Sequence, residues 1–202
     1  MNAKRSGSTM TRETFLAACE FAENYGGTIT LGGGEPTLHP LLFDFVGLAL
    51  AHDEESGCGV CIITNGGRTK IALRLADMAR RGILMAELSI DQWHDPIDPK
   101  VVEAFTKNPA DHYLQNERTN RDLRGIRTVE APFRRGRWKK GEDRCACPDL
   151  TVEPNGDLFH CGCRRLQYGT IFNPEIPRDS DSYESGTCSE PANYDHTQLI
   201  NA

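Results

Sequence analysis

Long apolar runs are missing from this sequence. The longest, Leu41 to Ala51, is broken by Asp44 and falls far short of the roughly 20 residues that cross a bilayer, which argues against a membrane-spanning helix. An apolar leader is also missing. Met1 is followed by Asn2, Ala3, Lys4, Arg5 and a Ser/Gly run, so no secretory signal is read and a cytoplasmic location is expected. Nor is there an excess of positive charge. The net charge of -6, from Lys+Arg 23 against Asp+Glu 29, disfavours a general nucleic-acid binder. That sum hides an asymmetry: Glu117 to Arg144 is basic, whereas the stretch from Glu175 onward is acidic. Eight cysteines in 202 residues do not make a secreted disulfide framework, which belongs mostly to much smaller domains. Metal ligation or free thiols are expected instead. No Gly-Lys-Ser/Thr follows the Gly-rich stretch and no G-x-G-x-x-G occurs, so phosphate and dinucleotide loops are excluded.

What is present is an alternation of short apolar strands and amphipathic helices. Thr11 can cap a helix whose apolar face carries Phe15, Ala18, Cys19 and Ala22, with Met10 stapled onto Phe15. Gly26 and Gly27 end it, and Thr28 to Leu31 reads as a buried strand. Pro40 can occupy the first turn of a second helix bearing Leu41, Leu42, Phe45, Val46 and Ala49. Gly59 to Ile63 is a second strand, the turn Asn65-Gly66-Gly67 follows, and a helix runs from Thr69 to Arg81. Leu84 to Ile90 is a third strand, Asp98 and Pro99 can start the helix of Val101, Val102 and Phe105, and Gly125 to Ala131 reads as a fourth strand. This order predicts an α/β fold with parallel strands, either an open sheet or a partial barrel, and places chemistry at the C-terminal strand ends.

Beyond Gly136 the alternation stops. Cys145-Ala146-Cys147 and Cys161-Gly162-Cys163 flank a turn at Pro154-Asn155-Gly156-Asp157. Thiolates bind soft metals, and four brought together by a hairpin can close a zinc site or anchor an iron-sulfur cluster. The expected organisation is a core over 1–135, a Cys-rich metal-binding module over 136–176, and a disordered tail over 177–202, which is rich in Ser, Asp, Glu and Pro.

In the loop after the first strand, Gly32-Gly33-Gly34-Glu35-Pro36-Thr37, the glycines let a ligand approach the backbone. The Glu35 carboxylate can accept hydrogen bonds from an ammonium, so the loop suits an amino-acid headgroup. The alternative is a Gly-rich turn with a solvated acid. Past the third strand, His94 lies beside Asp91 and Asp95 and could meet substrate or move a proton; its alternative is a histidine packed into a loop. Glu130, near the end of the fourth strand, is a further candidate for substrate contact.

Leu31 to Pro40, LGGGEPTLHP, resembles the GGEP loop of radical S-adenosylmethionine enzymes, Ile63-Thr64-Asn65-Gly66 is similar to their third barrel strand end, and Leu88-Ser89-Ile90-Asp91 to their fourth. The resemblance spans Met10 to Asp98. It implies a partial (β/α) barrel of the radical S-adenosylmethionine type, with Gly33, Gly34, Glu35, Pro36, Thr64, Asn65, Ser89 and Asp91 around the cofactor. It also implies reductive cleavage of S-adenosylmethionine by a 4Fe-4S cluster to a 5′-deoxyadenosyl radical. The family's Cys-x3-Cys-x2-Cys is absent from the chain, so the expected status is a fragment or truncated form whose cluster ligands lie upstream and which is inactive alone. Pro154 to Cys161 resembles the start of auxiliary-cluster extensions in radical peptide-modifying enzymes, which makes a peptide one candidate substrate. The cysteine module would carry an auxiliary iron-sulfur cluster or zinc on Cys145, Cys147, Cys161 and Cys163. Two other readings compete: a non-catalytic S-adenosylmethionine-binding relative, and a zinc-stabilised interaction module.

Overall fold

A computed structural model describes residues 8–25, 27–56, 59–90, 95–106, 122–128, 150–159 and 167–176. The chain divides between residues 130 and 131 into two compact units.

The first unit is built on helices α1 (Arg12–Tyr25), α2 (Leu42–Ser56), α3 (Thr69–Arg80) and α4 (Pro99–Phe105) and strands β1 (Ile29–Leu31), β2 (Val60–Thr64), β3 (Met85–Ile90) and β4 (Arg124–Thr128). All four strands are parallel and lie in the order β1-β2-β3-β4. Leu31, Val60, Ile62, Ala86 and Leu88 share one side of the sheet, by strand alternation and register. There they form a single core with Phe15 and Cys19 of α1, Phe45, Val46 and Ala49 of α2, Leu75 and Ala79 of α3, and Val101 and Phe105 of α4. A sheet with no reversal of strand order and right-handed crossovers carries its helices on one side. The expected α/β fold with parallel strands is formed as a four-stranded parallel sheet with its core on one face. Thr30, Cys61, Ile63, Met85, Glu87, Ser89, Gly125 and Arg127 fall on the other side, and none belongs to that core.

Local chemistry explains the element ends. Thr11 Oγ1 accepts from the Thr14 amide at 3.1 Å, capping α1 as its sequence predicts. Phe15 stacks on Phe45 with ring centroids 4.2 Å apart, joining α1 to α2. Pro40 does not enter α2, which begins at Leu42. His39 intervenes: its Nδ1 accepts from the Leu41 amide at 3.1 Å, so the proton resides on Nε2, which donates to the Met10 carbonyl at 3.1 Å. Asp98 caps α4 through the Lys100 amide, also as predicted.

The fourth strand starts one residue earlier than its sequence signal, at Arg124, on the core side in register with Ala86. An arginine is tolerated there because its guanidinium is paired. Nε and a terminal nitrogen donate to the Asp122 carboxylate, at 2.9 and 2.6 Å, and the other terminal nitrogen donates to the Ala104 carbonyl at 2.7 Å.

The second unit is an antiparallel meander of β5 (Thr151–Val152), β6 (Asp157–Phe159), β7 (Gln167–Thr170) and β8 (Asn173–Pro174). The predicted turn joins β5 to β6. Gly156 takes a positive φ of 91°, its amide donates to the Glu153 carbonyl at 2.9 Å, and Asn155 Oδ1 accepts from the Asp157 amide at 3.2 Å. Leu158, Tyr168 and Ile171 are buried. One hairpin was legible from the turn residues; two further strands were not.

Candidate functional site

The loop after β1 and the turn after β2 meet at the Glu35 carboxylate. Glu35 is extended (φ -111°, ψ 108°) and caps a single 3-10 turn, Pro36–Leu38, in which proline occupies the first turn and forfeits no hydrogen bond. Oε1 accepts from the Thr37 amide at 3.1 Å, from Thr37 Oγ1 at 2.6 Å and from Thr64 Oγ1 at 2.7 Å. Oε2 accepts from the Asn65 amide at 2.7 Å. A carboxylate offers about four acceptor positions, two per oxygen. Among the described residues, three donors thus crowd Oε1, while Oε2 serves one.

Thr64 is oriented from both sides. Its Oγ1 accepts from the Gly66 amide at 3.1 Å, which leaves its proton for Glu35. It is only 1% exposed and follows Ile62 on the helix-facing side of β2. Asn65 Oδ1 accepts from the Gly67 amide at 2.9 Å, closing a turn whose geometry requires glycine at 66. Gly66 has a φ of 74°, and a Cβ there would lie 2.8 Å from Leu88 Cδ1 and 3.0 Å from Ile97 Cγ2.

Of the residues that sequence reasoning singled out, Glu35, Thr64 and Asn65 are thus brought into one hydrogen-bonded cluster, with Pro36 buried beside it. Gly33 and Gly34 are exposed in the same loop. Gly33 has a φ of 100°, and among the described residues nothing lies within 4 Å of a Cβ built at Gly32 or Gly33. Ser89 is not part of this cluster. It lies on the opposite side of the sheet from Thr64, in register with Arg127. Asp91, His94, Glu130, Cys145, Cys147, Cys161 and Cys163 lie outside the described residues, as does the stretch 177–202. Thr37 was missed by sequence reasoning. The signal was available, since an acid before a proline with a threonine next is the pattern of a capped helical turn.

On the far side of the sheet, Arg127 pairs with Glu87 at 3.1 Å. The contact is an ion pair without hydrogen-bond alignment, for Glu87 Oε2 has no hydrogen-bond partner among the described residues. Cys61 lies near this pair; burial first, and the Glu87 charge second, push its thiol up to about 11. Burial likewise pushes Cys19 up to about 11, with Glu20 adding to it. These two thiols are buried on opposite sides of the sheet, one in the helix-side core and one outside it. They do not fit a shared metal or cluster. Among the described residues no group of three His, Cys, Asp or Glu side chains is arranged to hold a metal ion, and no helix is long and apolar enough to cross a membrane.

No family model, no curated protein and no solved structure matches the chain.

Proposed function

We propose that this chain is the S-adenosylmethionine-holding part of a radical S-adenosylmethionine enzyme, with the loop from Gly33 to Pro36 taking the methionine end of the cofactor. One observation carries the reading. The Glu35 carboxylate is fixed between the C-terminal ends of two adjacent parallel strands, where α/β folds bind ligands, and among the described residues its Oε2 accepts one hydrogen bond. Among the described residues nothing lies within 4 Å of a Cβ at Gly32 or Gly33, which leaves room there for the ligand. In this reading Oε2 accepts from the ammonium, the exposed glycine backbone lies against the methionine chain, and Asn65 borders the same end. The role of this chain is to bind and orient the cofactor. Cys19 and Cys61, buried on opposite sides of the sheet, do not fit a 4Fe-4S cluster.

Titration calorimetry of the chain with S-adenosylmethionine tests the proposal. Saturable binding is expected, weakened about tenfold or more by Glu35→Ala, since a hydrogen bond to a charged group is worth about 1.5–3 kcal/mol. Binding of equal strength in the variant would remove Glu35 from the site. No binding by the wild-type chain would remove the proposal.

A further inference from the structure

We infer that Thr64 is a positioning residue of this site, acting through Glu35 on the recognition of the ligand's amino-acid end. The inference rests on the S-adenosylmethionine reading above and adds to it a residue that does not touch the ligand. Thr64 is 1% exposed, which keeps its hydroxyl away from any bound molecule. That hydroxyl has one acceptor and one donor partner: it takes the Gly66 amide at 3.1 Å and gives its proton to Glu35 Oε1 at 2.7 Å. Both partners are fixed by other bonds. Gly66 is held in a positive φ that its neighbours Leu88 and Ile97 leave to glycine alone, and Glu35 is tied to Thr37 by two bonds.

Three donors on Oε1 set the roll of the carboxylate about its own axis. Oε2 is thereby turned to the Asn65 amide at 2.7 Å, its one donor among the described residues, and a carboxylate oxygen has two acceptor positions. A carboxylate that could rotate would spread its charge over two equivalent oxygens and lose a fixed direction for an incoming N–H cation. Thr64 removes that freedom before the ligand arrives, so less ordering cost falls on binding. Thr37 contributes the same restraint from the loop side. The arrangement links the β1 loop to the end of β2 and makes the geometry of the first depend on the second.

The experiment compares two ligands in wild type, Thr64→Val, Thr64→Ser and Thr37→Val. S-adenosylmethionine carries the ammonium; 5′-methylthioadenosine keeps the nucleoside and sulfur but lacks the amino-acid end. Thr64→Val retains shape and burial while removing the donor, and is expected to weaken S-adenosylmethionine about threefold to tenfold, the range of one neutral-to-charged hydrogen bond partly recovered by relaxation. Methylthioadenosine affinity is expected to stay within about twofold, and Thr64→Ser to restore wild-type affinity for both. Thr37→Val keeps the backbone bond to Glu35 and is the second variant should Thr64→Val not fold; its expected effect is smaller and equally confined to S-adenosylmethionine. Equal weakening of both ligands would reduce Thr64 to a general structural role, and unchanged S-adenosylmethionine affinity in both valine variants would overturn the inference; either result leaves the cofactor reading standing. A wild-type chain that binds neither ligand overturns the reading and the inference together.

Discussion

The Thr64 hydroxyl on β2 donates to Glu35 Oε1 in the loop after β1 at 2.7 Å, and through this bond the C-terminal ends of two adjacent parallel strands are held as one unit. Glu35 is therefore a structural residue whatever it binds.

Replacing Glu35 by alanine strands four donors: the Thr37 amide and hydroxyl, the Thr64 hydroxyl and the Asn65 amide. Buried donors without acceptors cost about 1–3 kcal/mol each when water cannot reach them, and relaxation recovers part of the sum. Urea unfolding should show Glu35→Ala destabilised by about 2–4 kcal/mol, with Glu35→Gln intermediate because its amide NH2 would face the Asn65 N–H. A loss below about 0.5 kcal/mol, the range of surface substitutions, would show that the cluster does not hold the loops together.

Gly66→Ala should be among the most damaging single changes in the first unit. Its φ of 74° is strained for alanine, and the added Cβ would meet Leu88 Cδ1 at 2.8 Å, Ile97 Cγ2 at 3.0 Å and Val101 Cγ1 at 3.2 Å. The expected cost is on the order of 3 kcal/mol by thermal or urea unfolding. Gly32→Ala, where a Cβ meets nothing within 4 Å, is the control and should cost far less. Similar stability of the two variants would contradict the turn geometry described.

Cys19 and Cys61 should be inert in the folded chain. Burial raises both thiols from 9.0 to about 11, which disfavours the reactive thiolate. Each folded-state value lies above its unfolded one, so their contribution to stability is fully present below about pH 9 and is lost as pH rises through about 11. Alkylation at pH 8 followed by peptide mapping should leave both unmodified until denaturant is added. Rapid labelling of Cys61 in the native chain would place its thiol in solvent.

Much of this fold was legible in the order of its elements. Thr11, Asp98 and the Asn65-Gly66-Gly67 turn act where their chemistry predicts, because caps and turns are decided by a few adjacent residues. The start of β4 was not legible, since Arg124 on the core side reads as a surface residue until Asp122 and the Ala104 carbonyl are seen to neutralise it. For the site, the sequence pointed to Glu35, Thr64 and Asn65, yet not to their mutual bonds, which join positions about thirty residues apart. Strand alternation decides which side each takes: Thr64 shares the helix-facing side with Ile62, and Ser89 lies on the other.

The most direct measurement is a heteronuclear NMR titration of the isotopically labelled chain with S-adenosylmethionine, read amide by amide. The expected result is saturable shifts at Gly33, Gly34, Glu35 and Asn65, with the meander amides of Leu158, Tyr168 and Ile171 unmoved. Shifts confined to the meander, or none at saturating ligand, would contradict the assignment of the loop between β1 and α2 as a cofactor site.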